Sequence, residues 1–399
     1  MQRSYRLVGA FLSAALLAAC GGNNGISSSV PPSGVAPNSQ TPLAHNPVRH
    51  RKLLVRLAYV INNGSSSVSA YSIDPSGVMT QVPGSPFVTG YGPEGEATDP
   101  KGDFVYVSNA GDDTVSAYKI NATSGALTPV AGSPFGAGSE PGAMAVDPNG
   151  KFAYVANAGS QNVSAYTIST SSGALTQVAG SPFSVGSGPD GVAVDPTGKF
   201  AYVANLSSNG PGTVSAFKID ETTGQLTQVA GSPFSAGSGP EGVAVDPTGK
   251  FAYVANGFGG SGGNGNVSAY TIDATTGALK PAKGSPFEAG YTPTAVAIDP
   301  NGRFAYVGND SSGNVSAFTI NAKSGALKPV AGSPFKAGTY PTSVAVDPKG
   351  KFAYVSAIDY YYDQEVSAYT IDATTGALTS QGMYEASKTP YGIAVKNLK

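Results

Sequence analysis

The stretch from Gly191 to Phe234 reads GVAVDPTGKFAYVANLSSNGPGTVSAFKIDETTGQLTQVAGSPF, and its reading decides the fold. Val192-Ala193-Val194 is a short apolar run. Asp195-Pro196-Thr197-Gly198 is a turn, with proline where φ is preset and glycine where φ can be positive. Phe200 to Ala204 and Val214 to Ile219 are further runs rich in strand formers. Glu221-Thr222-Thr223-Gly224 is a second turn, and Leu226 to Val229 is a fourth run. Ser232-Pro233-Phe234 leads onward. Period-2 patterning and close turns predict antiparallel hairpins.

The same unit recurs along the chain. Its Tyr-Val tyrosine stands at Tyr59, Tyr106, Tyr154, Tyr202, Tyr253, Tyr306 and Tyr354. A unit of about 48 residues cannot bury its own apolar face, so neighbours must stack. Four short strands repeated seven times predict an all-β fold, a seven-bladed β-propeller. There is no tryptophan, which excludes the Trp-Asp type of repeat. A solenoid would need polar caps at both ends, and none is visible. The first unit begins at its second strand, Leu57 to Ile61. The matching first strand comes only at the far end, as Tyr391-Gly392-Ile393-Ala394-Val395. The C-terminal strand is therefore expected to complete the first blade and close the ring.

Tyr154-Val155-Ala156-Asn157 and its copies at Tyr202 and Tyr253 resemble the YVTN repeat. The Asp-Pro-x-Gly-Lys and Thr-Thr-Gly-Ala-Leu turns resemble those of seven-bladed lactonase-like propellers, the group that includes 6-phosphogluconolactonases. The resemblance covers essentially residues 53–399. It implies lactone hydrolysis by a general base and a cationic oxyanion stabiliser in the channel, from histidine, arginine and acid clusters. His45 and His50 both precede the repeats, and Arg303 takes a turn position held elsewhere by Lys151, Lys199, Lys250 and Lys351. No histidine or arginine is carried over to the candidate site.

The chain's beginning carries a different message. Arg3 and Arg6 precede an apolar stretch from Leu7 to Ala19, too short to span a bilayer. It ends in Leu17-Ala18-Ala19-Cys20, which resembles the lipobox of bacterial lipoproteins. Cys20 is the only cysteine, so no intramolecular disulfide can form, and lipidation there is the expectation. This divides the chain into a signal peptide (1–19), a lipidated cysteine with a flexible Gly/Asn/Ser/Pro tether (20–52) and the propeller (53–399). It predicts a monomer anchored at the cell envelope, in the outer membrane if the cell has two. The basic cluster Arg49, Arg51, Lys52 and Arg56 reads as the solvated end of the tether. Charged residues make up 12% and the formal net charge is −2, with nothing basic lining the repeats, so nucleic acid is not an expected partner.

Positions where the units disagree are where function is free to sit. The Asp-Pro and Thr-Gly turns share one rim, here called the bottom. The segments after Ser-Pro-Phe and after Tyr-Val-Ala-Asn share the other, the top. From the Tyr-Val tyrosine to the next Ser-Ala aromatic the distance is 12 residues in four units, but 15, 17 and 15 in the units of Tyr202, Tyr253 and Tyr354. The last of these loops carries Tyr360, Tyr361 and Tyr362, which suit a binding surface. Acids also differ between units: Glu94, Glu140, Asp190 and Glu241 flank the first prolines of their units. Glu96 fills a slot held elsewhere by Met144, Val192, Val243, Val296, Val344 and Ile393. These carboxylates are expected to form an arc at the upper channel mouth, a place for a cation such as Ca²⁺, an amine or sugar hydroxyls. The asparagines at Asn109, Asn157, Asn205 and Asn256 and the aspartates of the Asp-Pro turns read as structural. The leading expectation is an anchored binding or scaffold module taking a protein or carbohydrate at its top face. The alternative is a lactonase-like hydrolase at the channel mouth.

Overall fold

The computed structural model describes residues 56–207, 211–258, 264–358 and 365–397. Cys20, the leader, the tether and Tyr360, Tyr361 and Tyr362 lie outside them. The compact unit is Leu54–Lys399. It is all-β: seven antiparallel blades stand around a central channel, the fourth and fifth joined in one nine-stranded sheet, and they are numbered here by the order of their Tyr-Val strands.

Each blade orders its strands as the sequence does. In the second blade Pro93–Thr98 is innermost, followed outward by Phe104–Asn109, Thr114–Ile120 and Leu127–Pro129. The ring closes where the sequence expected. The first blade's second strand, Arg56–Asn62, pairs with the C-terminal strand Pro390–Asn397 from Arg56↔Asn397 to Asn62↔Pro390. Every innermost position is thereby filled, and no blade is left with an open inner edge.

Period-2 alternation is not what marks the second strand. Phe152–Asn157 and Phe200–Asn205 are buried at every position. Each blade packs a neighbour on both faces, so its central strand reads as a continuous apolar run. The inter-blade cores show this directly: Phe152, Tyr154 and Val163 of the third blade pack with Ala201, Val203 and Phe217 of the fourth.

The outermost strand is split in most blades. Leu226–Gln228 pairs with the bottom half of Pro211–Ile219, and Phe234 begins a second piece that pairs with its top half. Ser-Pro separates the pieces, because proline brings no N–H to the ladder. The serine hydroxyl accepts the N–H left over on the third strand, as in Ala216 N to Ser232 Oγ at 2.9 Å. The seventh blade lacks Ser-Pro-Phe, and there Leu378–Glu385 runs unbroken along its partner.

Polar groups lock the blades together. Each Asp-Pro aspartate is buried and uses one carboxylate oxygen to accept two N–H groups of its turn, as in Asp195 Oδ1 with Lys199 N and Phe200 N, both at 2.8 Å. Each Tyr-Val tyrosine donates to the glycine carbonyl of the next blade's Thr-Gly turn, as in Tyr202 to Gly277 at 3.1 Å. Tyr354 to Gly77 completes this circuit across the seam. Burial pushes the pKa of these hydroxyls up, so they remain donors.

Arg56 corrects the sequence reading. It is not the solvated end of a tether: it is 5% exposed, and its guanidinium meets Asp347 of the seventh blade at 3.0 Å. It also donates to the Asp74 carbonyl and lies over the Phe352 ring, 4.9 Å from its centroid. The first blade has no turn between its first two strands, which come from opposite ends of the chain; its Asp74-Pro75 turn lies between its third and fourth strands, where the Asp74 carbonyl receives Arg56.

Candidate functional site at the upper channel mouth

The top rim is built by one repeated device. The residue before each innermost proline holds a positive φ. Glycine supplies it at Gly92, Gly188 and Gly239, but Glu140, Thr292, Tyr340 and Thr389 adopt it at φ 50–57°. L-residues rarely accept this region, and β-branched threonine least of all. The chain then turns down into the channel wall, so the residue after the proline stands at the mouth.

Those post-proline residues differ around the ring. Thr294 Oγ1 donates to the Pro341 carbonyl at 3.1 Å, and Thr342 Oγ1 to the Pro390 carbonyl at 3.0 Å, each crossing to the next blade. Glu94, Asp190 and Glu241 hold the same position in the second, fourth and fifth blades, all half-buried. Gly142 holds it in the third. The Asp190 carboxylate turns towards that glycine, with Oδ1 3.5 Å from where a Cβ on residue 142 would stand. The Glu241 carboxylate turns instead towards Gly257 of its own blade. Glu140 is exposed on the rim, and its backbone N–H donates to Asp113 Oδ1 at 2.9 Å.

The expected arc is therefore present as a sequence around the mouth, but it does not gather. Among the described residues no three of His, Cys, Asp and Glu come together as a metal-holding group. The Ca²⁺ reading has no assembled ligand set there. The reason is geometric: each acid sits on its own blade, and Asp190 and Glu241 lean sideways, towards Gly142 and Gly257.

Glu96 stands apart. Its neighbours in the repeat are apolar and pack between blades, as Met144 and Val192 do at 6% and 7% exposure. Glu96 enters the equivalent slot at the seam between the first and second blades. Its carboxyl lies across Gly392 of the closing strand, where any Cβ would collide with it. The residue is half-buried on its innermost strand. Desolvation alone pushes its pKa from 4.5 to about 8. No hydrogen bond or ion pair to it is found among the described residues. Tyr391 packs against the same seam cluster.

Other expectations resolve as structure. Asn109, Asn157, Asn205 and Asn256 are buried and donate to a serine across the strand pair, as in Asn157 to Ser164 at 3.0 Å. The longer loops of the fourth and fifth blades extend their strands to Pro211–Ile219 and Phe251–Phe258. A single strand, Phe234–Val245, joins the two blades across the top. Phe258 at 50%, Tyr291 at 50% and Tyr91 at 69% exposure stand on this rim and were not singled out from sequence. Their only signal was position, in segments whose length or composition departs from the repeat. Arg303 sits on the bottom, held by the Ala373 carbonyl at 2.8 Å. A cleft there between Asp99, Lys101, Phe104 and Asn149 is walled by turn residues that other blades repeat, and it marks no special chemistry.

A family model described as lactonase, 7-bladed beta-propeller, matches residues 48–189, 144–334 and 185–396. Among solved structures, a candidate 6-phosphogluconolactonase from Bacteroides uniformis is similar at 18% identity and TM-score 0.73, over 86% of this chain and 99% of that one. A second such protein, from Bacteroides fragilis, gives 19% identity and TM-score 0.71, over 87% and 99%. The periplasmic gluconolactonase of Pseudomonas aeruginosa gives 18% and 0.67, over 86% and 99%. At these identities the likeness is one of fold. A search of curated proteins finds no match.

Proposed function

Since the chain belongs to the seven-bladed β-propeller lactonase family, we propose that it hydrolyses a sugar lactone at the upper channel mouth, with Glu96 as general base. The observation that carries this is the Glu96 carboxyl: it sits on an innermost strand, is desolvated, and stands in a slot that packing alone fills with apolar residues. Three of the similar solved structures are described as gluconolactonases or candidate 6-phosphogluconolactonases, which supports the same class of substrate.

In this reading Glu96 as carboxylate takes a proton from water while the water oxygen bonds to the lactone carbonyl carbon. The ring C–O bond then breaks, and the proton passes to the ring oxygen, leaving a hydroxy acid. General-base help of this kind contributes about 10²–10⁴-fold. A base with a pKa near 8 predicts that kcat/KM rises with pH and levels off above about 8. Tyr91, one residue from the Gly92-Pro93 turn and exposed at 69%, offers a face for a sugar ring beside Glu94.

The test compares wild type with Glu96→Gln, after correction for spontaneous lactone opening. We expect a loss of at least about 10²-fold in kcat with a melt no lower than that of the wild type. A variant that keeps its rate ends the general-base role. Absence of any lactone turnover by the wild type returns the top rim to the binding reading, for which Tyr91, Phe258 and Tyr291 are the surface to probe.

A further inference from the structure

We propose that Gly392 of the closing strand is a positioning residue for Glu96: its bare Cα leaves the place in which the Glu96 carboxyl lies, so ring closure sets the base. This rests on the general-base reading above and deepens it. Other blades also carry glycine at the equivalent place, for a different reason. A Cβ on Gly95, Gly191 or Gly242 would first meet a backbone carbonyl oxygen of the next blade, that of Gly142, Glu241 or Thr294. At Gly392 the three nearest atoms all belong to the Glu96 carboxyl, with Cδ at 2.8 Å and Oε1 at 2.9 Å from the position a Cβ would take. Elsewhere the glycine admits backbone; here it admits a side chain.

The backbone gives no other need for glycine there. Gly392 lies inside Pro390–Asn397, pairs with Ile61, and its φ is not positive. Ala143, Ala295 and Ser343 hold the equivalent place in three other blades. A glycine inside a strand weakens it and often marks a close approach. A methyl group on residue 392 would press on the end of a flexible side chain, so Glu96 gives way and the strands stay. Its carboxyl then leaves the seam and the surroundings that desolvate it. Charged and titratable groups on the strands packed here are Glu94 on its own strand, Tyr391 and Lys396 on the closing strand, and Arg56, Tyr59 and Tyr106 on the strands behind; the third blade's Pro141–Val146 has none. Arg56 is paired with Asp347, and Tyr59 and Tyr106 donate to the carbonyls of Gly125 and Gly173. Burial is the one influence found on the Glu96 carboxyl, so its place in the seam sets how it titrates.

The experiment reads titration, rate and melt on the full chain. Carbon NMR follows the Glu96 carboxyl, assigned with Glu96→Gln, and initial rates follow glucono-δ-lactone across pH after correction for spontaneous opening. With Gly392→Ala we expect the titration to move from about 8 towards 4.5 and the inflection of kcat/KM to move with it. The plateau should fall at least about tenfold, as misplacement of a reacting group does, with a melt at pH 8.5 no lower than that of the wild type. In a Glu96→Gln background the same change should leave the residual rate unaltered, because the two residues act through one contact. A Gly392→Ala protein that titrates and turns over as the wild type does, or that loses as much rate without Glu96 as with it, overturns the proposal. Should Gly392→Ala not fold, its pair with Glu96→Ala decides: a pair that folds upholds the contact, and one that does not makes Gly392 a backbone requirement and overturns it. If the wild type opens no lactone, the hydrolase reading falls, and the NMR titration alone upholds or overturns the positioning.

Discussion

At the scale of single residues, Glu96 separates what packing wants from what chemistry wants. A valine there would join the apolar seam, as Val192 and Val344 join theirs. A glutamate whose folded pKa lies near 8 binds its proton more tightly in the native state than in the unfolded one. Stability is therefore intact at low pH and falls as pH rises from the ordinary glutamate value towards about 8, where it levels off. Glu96→Val removes this penalty. It should raise the melting temperature by several degrees at pH 8.5, on the order of a few kcal/mol, and by much less at pH 4.5. Thermal scans at the two pH values check this, and a variant that melts lower at pH 8.5 would make Glu96 a structural residue.

At the scale of the element, the turns and the broken outer strand carry the argument. The Asp-Pro aspartate holds both N–H groups at the start of the next strand, and it is fully enclosed. Asp195→Ala strands those donors in the core, and we expect it to cost about 2–4 kcal/mol by urea denaturation. Asp195→Asn keeps one acceptor oxygen and should cost less. The Thr-Gly turn is as demanding. Gly224 has φ +76°, and a Cβ there would meet the Phe152 ring of the preceding blade at 2.4 Å. Gly224→Ala is expected to destabilise by more than the ~1 kcal/mol that φ strain alone would cause, because the inter-blade contact must open. A loss no larger than that would mean the blades adjust freely. The seventh blade explains why Ser-Pro matters: without it the outer strand continues, and Met383 is left 64% exposed on the edge.

At the scale of the whole molecule, closure depends on few contacts at the seam. The Arg56–Asp347 pair joins the first and seventh blades, both partners being buried. Removing one partner leaves the other charge enclosed and unmatched. Arg56→Ala is therefore expected to destabilise by about 3–5 kcal/mol. Arg56→Met, which keeps an apolar stem but loses the guanidinium over Phe352, should lose no less if the charge is what matters. A double variant with Asp347→Asn should recover part of the loss, and calorimetric unfolding of the three proteins decides it. On the first blade's other side Glu96 lies over Gly392 of the closing strand, so ring closure and the proposed base share one blade.

The sequence by itself determined the architecture, because seven near-identical units leave one way to bury their faces, and the displaced C-terminal strand declared the closure. It also determined which positions were free to differ: Glu96 was conspicuous from the six apolar residues that hold its slot elsewhere. Three things were decided only by the tertiary structure. Arg56 reads locally as one more basic residue beside a tether; it becomes a core ion pair because Asp347, 291 residues away, is brought against it. The acids after the prolines read as a single arc; Asp190 leans to the neighbouring blade and Glu241 to its own, because neighbouring strands splay around a channel and do not converge. The burial of Gly142 cannot be read from a lone glycine, since only the packing of the next blade sets Asp190 beside it. Repetition writes packing into sequence many times over, whereas a site is written once, across units, and its geometry exists only when the ring is closed.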